Sequence, residues 1–140
     1  MKFSRTTVYG LIAAGYIAEY GSANTAVLAS TISKEFSIPQ EYLLKILQLL
    51  VRANILRSKR GPRGGFYLAK SPENTSLLDV IEAIEGTFSS ELEANDSAEN
   101  YQSSSKIFEA CLKITQKTRD MFAAVRLSDV IDTDKPKNSQ

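Results

Sequence analysis

The chain contains no histidine and a single cysteine, Cys111. Without an imidazole and with one thiol, a Ser-His-Asp triad, a Cys-His nucleophile pair, a zinc finger and a disulfide scaffold are all excluded within one chain. Long apolar runs are equally scarce. The longest, Leu11 to Ala18, is too short to cross a bilayer. The first residues also lack the basic, apolar and small-residue succession of a secretory signal. The expectation is a soluble protein of a reducing, cytoplasmic setting with no membrane partner. No strand-to-helix glycine loop for phosphate and no carboxylate pair in a pocket context occur, so no enzyme, no catalytic residue and no metal site are expected.

What is present suits one domain with an appendage: 140 residues, 43% of them apolar, enough for a core. The formal net charge of +1 conceals a division. Residues 1–70 carry ten Lys and Arg against three Asp and Glu, net +7, and residues 71–140 carry seven against thirteen, net −6. Such a split is expected where one half faces a polyanion and the other half does something else.

The pattern predicts a mainly α fold with a small β-hairpin, a winged helix-turn-helix followed by a long C-terminal helix. Ser4 can cap a first helix over Arg5 to Tyr20, which Gly21 stops. A second helix is expected from Val27 to Phe36, with Leu28, Ile32 and Phe36 recurring every four residues. Ser37-Ile38-Pro39 breaks the chain, and proline at a first helical position would open a third helix over Pro39 to Ala53. On that helix Leu43, Ile46, Leu47 and Leu50 share one face, while Glu41, Lys45, Gln48 and Arg52 fall opposite with Tyr42 on the flank. Strands are expected at Ile55 to Lys59 and Phe66 to Lys70, around the Gly61-Pro62-Arg63-Gly64-Gly65 turn. Pro72 marks a boundary, and Ser76 with Asp79 announces a fourth helix, Leu77 to Glu85, closed by Gly86. The DNA-binding domain so defined spans 1–86. A serine- and acid-rich linker is expected over 87–105, a dimerisation helix and its end over 106–131, and a disordered tail over 132–140.

Four cations, Arg57, Lys59, Arg60 and Arg63, crowd the hairpin. Behind a helix-turn-helix they read as phosphate contacts or as groups entering a minor groove, rather than as an ordinary solvated hairpin. Gln40, Glu41, Tyr42 and Lys45 occupy the first two turns of the third helix, the part that reaches base edges. Lys45 can donate to guanine O6 or N7 and Glu41 can accept from cytosine N4, and Gln48 and Arg52 then meet backbone. Glu41 can equally be a favourable anion near a helix N-terminus, and Tyr42 can equally be packing. Ser4, Thr6, Thr7 and Tyr9 can offer hydroxyls and helix-terminal N–H groups to phosphate, or serve only as caps. In the last helix Ile107, Cys111, Ile114, Thr118, Met121 and Val125 repeat at 4-3-4-3-4 spacing beside a second row of Phe108, Leu112, Thr115 and Phe122. One row can bury against the chain's own domain, leaving the other for a second copy. Cys111 on that stripe is either a small apolar residue or a thiol open to oxidation and pairing with its symmetry mate.

Three motifs in one order, Ile38-Pro39-x-x-Tyr42-Leu43-x-Lys45-Ile46-Leu47, Arg60-Gly61-x-x-Gly64-Gly65-Phe66 and Leu77-Leu78-Asp79-Val80-x-Glu82-Ala83-x-Glu85-Gly86, resemble the Rrf-type regulators, the family of IscR, NsrR and CymR. The resemblance covers roughly residues 1–88 and, more loosely, the last helix. It implies a bacterial winged-helix transcription factor, a homodimer joined through its C-terminal helices, usually a repressor at a palindromic operator in double-stranded DNA. Cluster-bearing members carry three closely spaced cysteines before the dimer helix. Here that region offers Ser89, Ser90, Ser103, Ser104 and Ser105, so no iron–sulfur cluster and no other cofactor is expected. A small-molecule or protein effector is left as the signal, and a protein-docking module without DNA binding is the alternative function.

Overall fold

Ser4 begins α1 (Arg5–Tyr20) by accepting the Thr7 N–H on its hydroxyl at 3.2 Å, and Gly21 ends it with its own N–H on the Ile17 carbonyl. The computed structural model describes residues 2–87 and 105–132. Helices α2 (Ala29–Phe36), α3 (Gln40–Arg52) and α4 (Leu77–Glu85) follow, with the hairpin β1 (Leu56–Lys59) and β2 (Gly65–Leu68) between α3 and α4. A 3-10 turn at Pro72–Asn74 leads into α4, and α5 (Ser105–Ala124) and α6 (Leu127–Val130) complete the described chain. The mainly α architecture with one antiparallel hairpin is the one expected. Most of the expected linker and tail lies outside the described residues.

The core forms where apolar faces of α1, α2, α3 and α4 meet. Ile17, Ile32, Leu43, Leu47, Leu50 and Val80 are fully or almost fully buried there, and Leu56 of the hairpin joins them. The apolar face read on α3 is the buried one. Helix α4 carries the capping box: Asp79 N–H donates to Ser76 Oγ at 3.1 Å and Ser76 N–H to Asp79 Oδ2 at 2.9 Å.

Four boundaries differ from the expectation. Val27 and Leu28 are extended, not helical, because Val27 pairs with Phe66 through two 2.8 Å main-chain bonds and becomes a third rung beside the hairpin. Pro39 is the N-cap of α3 and not its first helical residue; its carbonyl accepts the Leu43 N–H at 2.9 Å. The strands proper are Leu56–Lys59 and Gly65–Leu68, so Ile55, Ala69 and Lys70 fall outside them. Helix α5 begins at Ser105 and stops at Ala124, which places Val125 outside it. The Val125 carbonyl accepts Leu77 N–H at 2.9 Å and Leu127 N–H donates to the Thr75 carbonyl at 2.8 Å, so the chain leaves the helix to dock on the start of α4. Leu127 then enters the core, 1% exposed.

Candidate nucleic-acid interface

The turn between α2 and α3 is closed by its own polar groups. Ser37 takes a left-handed conformation with φ 55°, Ile38 N–H donates to the Ser33 carbonyl at 3.1 Å, and Ser33 Oγ donates to the Ile38 carbonyl at 2.5 Å. Ile38, 1% exposed, anchors this corner in the core and fixes how α3 leaves it. Gln40, Glu41, Lys45, Gln48 and Arg52 are all exposed, a polar row opposite the buried leucines.

The wing is aimed by its pairing. Leu56 is buried, so alternation along β1 turns Arg57 and Lys59 to the opposite, exposed face, with Tyr67 across from Arg57. Gly61 (φ 103°) and Gly65 (φ 143°) adopt conformations that side chains rarely take, and Gly64 N–H closes the tip on the Gly61 carbonyl at 2.9 Å. Arg60 and Arg63 stand exposed at that tip. A Cβ on Gly65 would lie 2.4 Å from the Val27 carbonyl oxygen, so only glycine lets the hairpin pack so closely on the entry to α2. Among the described residues none of Lys45, Arg52, Arg57, Lys59, Arg60 and Arg63 forms an ion pair.

The first turn of α1 differs from a free phosphate site. Thr7 is fully buried, and its hydroxyl donates to Glu85 Oε1 at 2.5 Å. Ser4 Oγ donates to the same oxygen at 2.9 Å and Ser4 N–H at 3.3 Å. The Thr7 and Ser4 hydroxyls hold the Glu85 carboxyl below its ordinary pKa, against a smaller opposing effect of burial, with the Ser4 N–H assisting. A protein carboxylate thus occupies the end of α1 where a phosphate was expected. Burial removes Thr7 from any surface that meets DNA. Thr6 and Tyr9 turn toward α3: the Thr6 and Tyr42 hydroxyls share a hydrogen bond, and the Tyr9 ring stands edge-on to Tyr42 at 5.8 Å. Tyr42 is half-buried in this contact. Sequence reasoning missed the contacts of Glu85 with Ser4 and Thr7 and of Val27 with Phe66. The signal for Glu85 was present in the Glu85-Gly86 end of the third motif.

On α5 the two expected rows differ in burial only in part. Phe108, Leu112, Thr115 and Phe122 are half-buried, Phe122 meeting Phe3 edge-on at 5.6 Å, and Arg119 pairs with Glu82 at 2.8 Å. Ile107, Ile114 and Met121, spaced by seven, are 66%, 64% and 72% exposed. Cys111 and Thr118 are half-buried, and the Thr118 hydroxyl donates to the Ile114 carbonyl.

The family described as "Rrf2: Iron-dependent Transcriptional regulator" matches residues 3–133. The chain belongs to the Rrf2 family. It is 30% identical over 141 residues to BadM of Rhodopseudomonas palustris, which is named as an HTH-type transcriptional regulator, covering all of this chain and 89% of BadM. It is 33% identical over 88 residues to IscR of Cereibacter sphaeroides, covering 62% of this chain and 57% of that protein. Among solved structures, the cysteine regulator CymR of B. subtilis shares the fold at TM-score 0.74 and 23% identity, over 93% of this chain and 95% of CymR. IscR of T. potens does so at TM-score 0.71 and 22% identity, over 93% and 85%. The chain is thus an Rrf2-family, DNA-binding transcriptional regulator with a winged helix-turn-helix, and the docking-module reading gives way to that membership. The family description names iron, but the donor set does not fit a thiolate-held cluster: the Rrf2 chain here has one thiol, half-buried on α5, and no imidazole. Among the described residues no helix is long and apolar enough to cross a membrane.

Proposed function

We propose that the chain is a cytoplasmic homodimer that represses transcription from an inverted-repeat operator. The observation that carries this is the exposed set of cations on α3 and the wing, none of them in an ion pair among the described residues, with the wing fastened by the Val27–Phe66 pair, together with the exposed Ile107, Ile114 and Met121 of α5. Gln40, Glu41 and Lys45 read base edges, Gln48 and Arg52 meet phosphates, and Arg57, Lys59, Arg60 and Arg63 hold phosphate or minor groove. Ile107, Ile114 and Met121 form the dimer seam, with Cys111 and Thr118 packed at its side as apolar filling and a satisfied hydroxyl. Ending α5 at Ala124 removes Val125 from that seam. Two α3 helices so joined would sit about 34 Å apart, one turn of DNA. The protein works without an iron–sulfur cluster and without catalysis, its signal a small molecule or protein. The open cavity of about 390 Å³ lined by Asn54, Lys70, Asp79 and Glu82 is room for a small molecule.

Selection of genomic fragments by the purified chain, with and without diamide, tests this. The expected result is a set of fragments sharing one inverted repeat, recovered equally in both conditions. Recovery without a common repeat, or retention on heparin with no salt dependence, would refute specific DNA reading. Recovery abolished by diamide in wild type but not in Cys111→Ser would make the thiol the signal.

A further inference from the structure

Glu85 does more than end α4. We propose that it is a positioning residue for DNA recognition, acting on α3 through the first turn of α1; this rests on the DNA-reading role of α3 proposed above. Three donors converge on Glu85 Oε1: the Thr7 hydroxyl at 2.5 Å, the Ser4 hydroxyl at 2.9 Å and the Ser4 N–H at 3.3 Å. Ser4 is also the cap of α1, so one carboxylate fixes the cap and the turn that follows it. Thr6, between those two donors in the chain, faces the other way and bonds its hydroxyl to that of Tyr42. One helical turn later Tyr9 sets its ring against the Tyr42 ring. Tyr42 lies in the first turn of α3, between Glu41 and the buried Leu43 and one turn before Lys45.

Ser4, Thr6 and Thr7 share one helical turn, whose main-chain bonds leave them little freedom to move separately. A shift of the Glu85 carboxylate therefore carries Thr6 with it. The rotation of α3 about its own axis is then set twice, by the buried leucines and by the Tyr42 hydroxyl. A carboxylate suits the task because it only accepts hydrogen bonds, and the groups around it here are hydroxyl and N–H donors. Glu85 is the last residue of α4 and precedes Gly86 (φ 84°), its C-cap. The exit of α4 and the base-reading face of α3 are thereby joined.

The test uses the full chain and a duplex selected by wild type from a random pool, beside a scrambled duplex of equal length and composition. Glu85→Gln and Tyr42→Phe each lose about tenfold in affinity for the selected duplex, the size of one hydrogen bond, and the double variant loses no more than the weaker-binding single one. Affinity for the scrambled duplex and the salt dependence stay as in wild type, since no phosphate contact is removed. Amide exchange of residues 40–45 in the free protein rises in both single variants while that of 46–50 holds. Losses that multiply in the double variant, equal losses on both duplexes, or wild-type affinity in Glu85→Gln overturn the proposal. Should Glu85→Gln not fold, Thr6→Val cuts the same connection without touching the carboxylate; tenfold loss supports the proposal and wild-type affinity overturns it. If wild type selects no duplex at all, the DNA-reading function fails and this proposal falls with it, whereas selection by wild type with no effect of Glu85→Gln sinks the positioning role alone.

Discussion

Replacing Gly65 with alanine measures how firmly the wing is fastened. At φ 143° any side chain is strained, and the new Cβ would meet the Val27 carbonyl oxygen at 2.4 Å and its carbon at 2.7 Å, both rigid backbone. Relief requires the hairpin to back away from Val27, stretching the two 2.8 Å bonds that join Val27 to Phe66. The strained conformation costs on the order of 1 kcal/mol and the two weakened bonds about 1 kcal/mol each, so Gly65→Ala should destabilise by about 3 kcal/mol. Gly61→Ala is the matched control: its φ of 103° is also positive, but nothing stands within 4 Å of the added Cβ. It should cost only the conformational part, about 1 kcal/mol. Urea unfolding followed by far-ultraviolet circular dichroism, at one fixed protein concentration, resolves a difference of about 2 kcal/mol between the variants. Equal stability of the two would refute the argument that the Val27 contact, and not the turn, demands glycine at position 65.

Arg60→Ala with Arg63→Ala should lower the slope of log affinity against log salt by about 0.9 for each phosphate no longer neutralised, without changing the unfolding midpoint; an unchanged slope in a salt titration removes the tip of the wing from the interface. Ile114→Asp puts a charge at the middle of the Ile107, Ile114 and Met121 stripe and should convert the proposed dimer to monomer in sedimentation equilibrium, and an unaltered assembly would place the seam elsewhere. Glu85 has its carboxyl pKa lowered in the folded state, so its contribution to stability is complete above the ordinary carboxylate range and is lost as pH falls through the depressed folded value. The stability gap between wild type and Glu85→Gln should therefore shrink on acidification; a gap constant with pH would show that charge plays no part.

Elements whose signals are local are legible from residues alone. Ser4 with Gly21, and Ser76, Asp79 and Gly86, mark the observed ends of α1 and α4 because a cap is a contact between residues three or four apart. The buried face of α3 follows from periodicity, and on α5 the seven-residue spacing of Ile107, Ile114 and Met121 matches the three exposed apolar positions. The spacing of Val27 to Leu28 and Ile32 suits a helix, but pairing with Phe66 outweighs that preference. Val125 fits the heptad repeat equally well, and the docking of Leu127 into the core takes it out of the helix. In both cases a tertiary contact defeats a periodic pattern.

The same distinction separates the charge of the proposed DNA-facing surface from its aim. Lys45, Arg57, Lys59, Arg60 and Arg63 announce a polyanion in the bare sequence, since charge is a property of each residue by itself. Where the wing charges point depends on the Val27–Phe66 rung, and the setting proposed for α3 depends on the Glu85 contacts with Ser4 and Thr7, which span 81 and 78 positions of chain. Ser4 and Thr7 show the consequence most directly. Read locally, their hydroxyls at a helix start suit a phosphate; in the fold a carboxylate from the far end of the domain already holds them. A polar group near a helix terminus is therefore a candidate DNA contact only where the domain leaves it unsatisfied; the exposed cations of the wing and α3 meet that condition and Thr7 does not.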